Sequence, residues 1–248
     1  MRLEGKTAIV TGGSSGFGAG IVEKFVAEGA RVVIADINGE AATKMTNRIG
    51  DMALACTADV SSRSSVDDMV QMVTDTWGTP DILVNNAGIT HKKGTLEDVS
   101  EDEFDRVTAV NMKSVYLTAQ SLVPAMKERG SGVICNIAST AGISPRAHLS
   151  WYNASKGWMI TATKAMAVEL APNGIRVNAV NPVAGETPLL ASFMGEDTPE
   201  MRAKFISTIP IGRFSTPADV ANATCYLCSD EASMVTGVAM EVDGGRCI

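Results

Sequence analysis

The chain has 248 residues, 45% of them apolar and 20% charged, with a formal net charge of −7. This is a soluble globular composition, and the length suits one large α/β domain with a sizeable core. The acidic balance opposes a main role on nucleic acid, and no apolar run reaches the ~20 residues that cross a bilayer.

Short apolar runs alternate with longer amphipathic ones along the whole chain. TAIVT (7–11) reads as a buried strand, and FGAGIVEKFVAEGA continues as a helix that stops at Gly29. RVVIADI (31–37) is a second strand and GEAATKMTNRIG a second helix. MALACTADV (52–60) is a third strand, and SSVDDMVQMVTDTWG a third helix capped by Ser64 or Ser65. DILVNNAG (81–88) is a fourth strand that runs into a loop. Residues 100–130 form a long helix or a pair, with a kink at Pro124.

GVICNIAS (132–139) is strand five, and the helix of WYNASKGWMITATKAMAVELAPNG ends near Pro172–Gly174. IRVNAVNP (175–182) is strand six. Segment 183–216 is too long for a plain connection and reads as a lid or binding loop. ADVANATCYLCS is a last helix and VAMEVDGG a last strand.

Strands that are apolar throughout and separated by helices indicate a parallel sheet covered on both faces. With right-handed crossovers this becomes a Rossmann-type doubly wound sheet of about seven strands, in a single domain over residues 1–248.

The five cysteines, at 56, 135, 225, 228 and 247, are odd in number and scattered. They suit a reducing compartment, and with an N-terminus that turns straight into a strand the expected location is cytoplasmic. Cys225 and Cys228 form a CxxC late in a helix, where helix packing is the expected role. No second CxxC accompanies them, and His91 and His148 are the only histidines, so no metal site is expected.

TGGSSGFG (11–18) joins the first strand to the first helix. Glycines there let backbone approach a ligand, and the helix N-terminus behind them carries free N–H groups, which together make a seat for a pyrophosphate. Asp36 ends the second strand, 20 residues past Gly16. A carboxylate at that distance accepts hydrogen bonds from a ribose 2′-OH and repels a 2′-phosphate, so NAD is expected over NADP.

Gly12-Gly13-Ser14-Ser15-Gly16 also matches the G-x-S-x-G elbow of hydrolases. Only ten residues precede Thr11, too few for the strands and oxyanion loop that an elbow needs upstream.

In YNASK, Tyr152 and Lys156 are four positions apart, one turn above each other on a helix face. Ser139 ends strand five and points at the crevice beyond the strand ends. A free tyrosine is only about 0.1% phenolate at pH 7. A nearby ammonium lowers such a pKa by roughly 1–3 units, which readies the phenol for general acid–base work.

With TGGSSGFG (11–18), NNAG (85–88), Asn111, Ser139 in NIAS, YNASK (152–156) and NPVAGETP (181–188) in order, the chain resembles a classical short-chain dehydrogenase/reductase over essentially its whole length. The resemblance implies that Tyr152 donates or accepts the proton and that Lys156 also binds the nicotinamide ribose. It implies that Ser139 bonds the substrate oxygen and that Asn111 supports a water-linked proton relay behind Lys156.

Cofactor contacts carry over to Gly12, Ser15, Gly16, Phe17 and Gly18 in the glycine loop and to Asp36. They extend to Asp59 and Val60 near adenine, Asn86 near the adenosine ribose, and Thr187 near the carboxamide. The family usually has glycine after the proline that ends strand six. Val183 stands there instead and adds bulk beside the nicotinamide.

The expected activity is NAD-dependent interconversion of a secondary alcohol and a ketone, with a small molecule as substrate. A 3-oxoacyl-thioester (acyl-carrier) reductase has the same motifs. A non-catalytic dinucleotide sensor would not need the Ser–Tyr–Lys–Asn set. Candidate substrate contacts are Arg146, His148, Trp151, Leu189, Phe193 and Met194, with Arg146 or His148 as holders of an anionic end. A homotetramer is expected from the resemblance alone.

Overall fold

The computed structural model describes residues 1–248. Seven strands form one parallel sheet in the order β3-β2-β1-β4-β5-β6-β7. They are β1 Thr7–Thr11, β2 Arg31–Asp36, β3 Ala53–Thr57, β4 Ile82–Asn85, β5 Gly132–Ile137, β6 Ile175–Pro182 and β7 Ala239–Val242. The order reverses between β1 and β4, which opens a crevice at the carboxyl ends of the strands.

The helices are α1 Gly16–Ala27, α2 Gly39–Ile49, α3 Arg63–Trp77, α4 Glu101–Thr108, α5 Ser114–Arg129, α6 Ser150–Leu170, α7 Leu190–Met194, α8 Pro199–Ile206 and α9 Pro217–Cys228.

Strand alternation sends neighbouring residues into different cores. Ala8, Val10, Val32 and Ile34 pack with Ile21, Val22 and Phe25 of α1 and Val220 and Cys225 of α9. Ile9, Val33 and Leu83 pack with Val66 and Met69 of α3, Leu122 and Met126 of α5, and Ala167 of α6. The CxxC cysteines lie buried in the first of these cores, as free thiols beside Cys135. A separate small core joins Val183 to Leu190, Met194, Phe205, Ile209 and Phe214.

Several boundaries differ from the sequence reading. Ser62 caps α3, accepting from the backbone N–H of Ser65, while the Ser65 hydroxyl accepts from the Asp59 N–H at 2.9 Å. The helical stretch 100–130 is a pair, and the break is a π turn at Ala109–Lys113 rather than at Pro124, which stands inside α5. One extra residue in that turn shifts the face on which Asn111 lies. The lid 183–216 is ordered around α7 and α8.

Candidate active site

A cleft of about 460 Å³ runs along the carboxyl edge of the sheet. Gly12, Ser15, Gly16 and Phe17 line it, with Asp36, Asp59, Val60 and Asn86 toward the β2–β3 side and Ser139, Tyr152, Lys156, Val183 and Thr187 toward the β5–β6 side. Gly18 lies under the loop and not in its wall. A Cβ there would sit 2.1 Å from the Gly12 carbonyl oxygen, so only glycine lets the loop close on itself. Gly12 and Gly16 have φ of 59° and 52°, the left-handed region that favours glycine. The result is a backbone cradle at the N-terminus of α1, and it fits a pyrophosphate.

The carboxylate of Asp36 is fixed. Its Oδ2 accepts from the Ser14 N–H at 3.1 Å and the Ser14 hydroxyl at 2.6 Å, and its Oδ1 accepts from the Asn38 N–H at 3.0 Å. Ser14 therefore supports an acid rather than serving as a nucleophile. Asn86 donates to the Thr11 and Gly12 carbonyls at 2.9 and 3.0 Å, so its amide braces the glycine loop from below.

Tyr152 and Lys156 lie in the first two turns of α6 and are almost fully buried. The Lys156 Nζ donates to the Ile137 carbonyl at 2.9 Å and stands 6.0 Å from the centroid of the Tyr152 ring. Ser139 caps the short turn Thr140–Gly142, its hydroxyl accepting from the Ala141 N–H at 3.1 Å.

Asn111 is wholly buried and does not line the cleft. Its Oδ1 accepts from the Ile89 N–H at 2.9 Å, and its Nδ2 donates to the Ile89 carbonyl at 2.9 Å and the Ser155 hydroxyl at 3.0 Å. A Cβ on Gly88 would lie 3.3 Å from Lys156 Nζ and 3.5 Å from Asn111 Oδ1, which puts both side chains against one point of the NNAG loop.

Burial pushes the Tyr152 phenol up to about 12, and the Ser139 hydroxyl beside it works against that rise. Burial also brings the Lys156 ammonium down to about 8. The sequence reading expected the ammonium to lower the phenol, but in the protein alone the direction is opposite. Loss of water outweighs a cation that is already engaged with a carbonyl.

The substrate end is apolar, walled by Leu149, Leu189, Phe193 and Phe205. Phe193 packs on Tyr152 with ring centroids 5.1 Å apart. Arg146 reaches this end of the cleft, as expected. His148, Trp151 and Met194 do not. His148 is exposed and holds a turn at φ 67°. Trp151 packs edge-on against Phe104, and Met194 belongs to the small lid core. Val183 lines the cleft with a backbone that needs no glycine, since His148 is the only non-glycine residue with positive φ.

Residues 12–246 match the family model described as Enoyl-(Acyl carrier protein) reductase, which belongs to the short-chain dehydrogenase/reductases. The chain is 49% identical over 252 residues to 4-formylbenzenesulfonate dehydrogenase of Comamonas testosteroni, spanning 100% of both chains. It is 39% identical to 3-oxoacyl-[acyl-carrier-protein] reductase of Thermotoga maritima, again over 100% of both. A crystal structure of 3-ketoacyl-(acyl-carrier-protein) reductase from Brucella melitensis, complexed with NADH, superposes with a TM-score of 0.95 at 50% identity, covering 99% of this chain and 100% of that one. The chain is a classical short-chain dehydrogenase/reductase. It is thus an oxidoreductase that works with a nicotinamide dinucleotide.

Sequence reasoning missed the polar supports of this dehydrogenase/reductase site. The Thr11 hydroxyl accepts from the Asn86 and Ala87 N–H groups, both at 3.1 Å, and so ties β1 to the NNAG loop. Beneath the site, Asn85 donates to Asn136 at 2.9 Å, Asn136 to Thr163 at 2.9 Å, and Thr118 to Asn85 at 2.9 Å. Asparagines in otherwise apolar strands carried the signal, because Asn85 and Asn136 are in register on neighbouring strands. Ser155 links Asn111 to α6 by donating to the Tyr152 carbonyl at 2.7 Å.

Proposed function

We propose that the protein is an NAD-dependent oxidoreductase that interconverts a secondary alcohol and a ketone, with Tyr152 as general acid and base. The observation that carries this reading is a buried phenol beside the Ser139 hydroxyl, at the apolar end of a cleft that begins in a glycine cradle. When bound, the nicotinamide supplies or takes up the hydride.

The chain's own groups manage the oxygen. Below about pH 12 the Tyr152 phenol holds its proton, the form needed to protonate a carbonyl oxygen during reduction. The Ser139 hydroxyl donates a second hydrogen bond to that oxygen. In the reverse direction the Tyr152 phenolate, the form that reduction leaves behind, accepts the alcohol proton. Lys156 holds the nicotinamide ribose hydroxyls and supplies positive charge to the same wall. Asn111 acts as a positioning residue that fixes the NNAG loop against α6.

Gly12, Ser15, Gly16 and Phe17 seat the pyrophosphate, Gly18 lets their loop close from beneath, and Asp59, Val60 and Asn86 flank the adenosine. Val183 and Thr187 flank the nicotinamide. NAD is preferred because the fixed Asp36 carboxylate accepts from a ribose hydroxyl and repels a phosphate there. The expected assembly is a homotetramer, and the expected compartment is the cytoplasm. No helix of the chain is long and apolar enough to cross a membrane.

Tyr152→Phe tests the reading. Ketone reduction by NADH should fall by about 10²–10⁴-fold, the usual worth of a general acid, while NADH binding measured by its fluorescence persists. Equal turnover by wild type and variant would exclude Tyr152 as the proton donor.

A second reading is reduction of a 3-oxoacyl thioester. The Brucella melitensis structure at 50% identity bears that activity in its name. Acetoacetyl thioesters assayed beside simple ketones separate the two.

A further inference from the structure

The apolar end of the cleft contains a charge that nothing in the chain neutralises. Four charged side chains line the cleft: Asp36 and Asp59 on its β2–β3 side, Lys156 at the phenol, and Arg146 at the far apolar end. Arg146 is half-buried and takes part in none of the ion pairs of the structure. Its one side-chain hydrogen bond is long and neutral, from Nη2 to the Thr208 hydroxyl at 3.3 Å. The guanidinium lies over the Phe205 ring, its Cζ 4.5 Å from the centroid. A guanidinium carries five N–H donors, so most of them have no acceptor.

A second cation lies close enough to act on Arg146 electrostatically. Arg246 comes from the C-terminal turn, where its Nη1 donates to the Ser144 hydroxyl at 2.9 Å. Its Nε is buried and has no hydrogen-bond partner. Asp243, the closest acid along the chain, spends both oxygens on the Gly245 and Cys247 N–H groups. Burial and repulsion by Arg246 together hold the Arg146 guanidinium below its ordinary value. A half-buried guanidinium with no carboxylate partner and a second cation acting on it favours an anion that comes from outside the chain.

Resting on the oxidoreductase reading above, we propose that the substrate carries an anionic group, a sulfonate or a carboxylate, and that Arg146 binds it. The group sits at the end of the molecule away from the reacting carbon. Phe193, Phe205 and Leu149 cover the apolar body in between, and Arg246 adds to the positive field behind Arg146. An arylalkyl ketone with a para anion has this shape. Its carbonyl faces Tyr152, its ring lies on the phenylalanines, and its anion reaches the guanidinium.

The test uses wild type, R146Q and R146K with NADH and three ketones of one shape. They are 4-acetylbenzenesulfonate, 4-acetylbenzoate and the neutral 4-acetylbenzenesulfonamide. The readout is the ratio of kcat/KM for each anion to that for the sulfonamide. Wild type should prefer the anions by about 10–100-fold, the scale of charge-assisted hydrogen bonds to guanidinium. R146Q should bring the ratio to within about 3-fold of unity, and R146K should restore part of it. A ratio near one in wild type, or a ratio unchanged in R146Q, overturns the proposal.

Calorimetric binding of benzenesulfonate against benzenesulfonamide, with NADH present, separates this inference from the one it rests on. Should no ketone turn over while benzenesulfonate still binds in an Arg146-dependent way, the secondary alcohol–ketone reading falls and the anion site stands. Absence of anion-selective binding overturns the site.

Discussion

Burial moves the Lys156 ammonium from 10.5 down to about 8 and the Tyr152 phenol from 10.0 up to about 12. Between pH 8 and 10.5 the unfolded chain keeps the lysine proton and the folded chain releases it, so stability rises with pH in that window. From pH 10 to 12 the folded phenol keeps a proton that the unfolded one loses, so stability falls again. Urea unfolding at pH 7.5 and 10 should show wild type gaining on Lys156→Met by an amount on the order of 2 kcal/mol. A flat difference would mean that the ammonium is solvated.

Asp36 belongs to the same scale. Asp36→Asn removes the repulsion of a 2′-phosphate, and the NADP:NAD ratio of kcat/KM should rise by roughly 10-fold or more, since close like charges act at the level of a few kcal/mol. A cofactor panel on the variant measures it.

The motif residues were legible because their spacing is local: Tyr152 and Lys156 on one helical face, Asp36 at a fixed distance from the glycines. The direction of their titration was not. The burial that sets it comes from the loop around Ala138–Leu149 and from the lid, far apart in sequence.

At the scale of elements, two junctions align the site. The π turn at Ala109–Lys113 aims Asn111 into the NNAG loop. The turn Thr140–Gly142 presses against the first turns of α6, where a Cβ on Gly142 would come 2.7 Å from the Gly157 nitrogen and 2.8 Å from the Lys156 carbonyl carbon. Gly142→Ala therefore pushes Ser139 away from Tyr152. We expect a loss of about 1–3 kcal/mol, as for other overpacking changes, together with a fall in kcat. Gly157→Ala is the control, because its Cβ meets only the Gly142 oxygen at 3.6 Å. Thermal melting and steady-state kinetics on both variants check this, and equal behaviour would count against the junction.

Helix and strand order were readable from period and punctuation. The π turn was not, since one added residue leaves the apolar period almost unchanged over 100–130. The lid helices were hidden because prolines and glycines around α7 and α8 read as loop.

The whole molecule presents several large apolar side chains to solvent: Trp158 and Val168 on α6, Tyr116 on α5, Phe104 on α4, and Met234 and Ile248 near the C-terminus. The tetramer proposed above would cover such residues. Light scattering should give four times the 26.0 kDa of one chain, and Val168→Glu, at a position 81% exposed in the single chain, should lower that mass. A monomeric wild type would remove the assembly from the reading.

The sheet itself was legible at this scale, because two-sided apolar strands admit few arrangements. Its polar layer, Asn85–Asn136–Thr163, was not, since each residue is harmless in its own segment and acquires meaning only across strands.

The lid keeps its own small core of Leu190, Met194, Phe205, Ile209 and Phe214, hinged on Val183, apart from the two that sandwich the sheet. That core is local, but the segment also meets its surroundings, with Phe193 on Tyr152, Phe205 under Arg146 and Ile211 bonded to Gly244. Grafting residues 184–214 from a relative should change the fit of the substrate's apolar body, while the preference for an anion stays with the recipient's Arg146. Within this architecture, chemistry and taste are then free to evolve at separate rates.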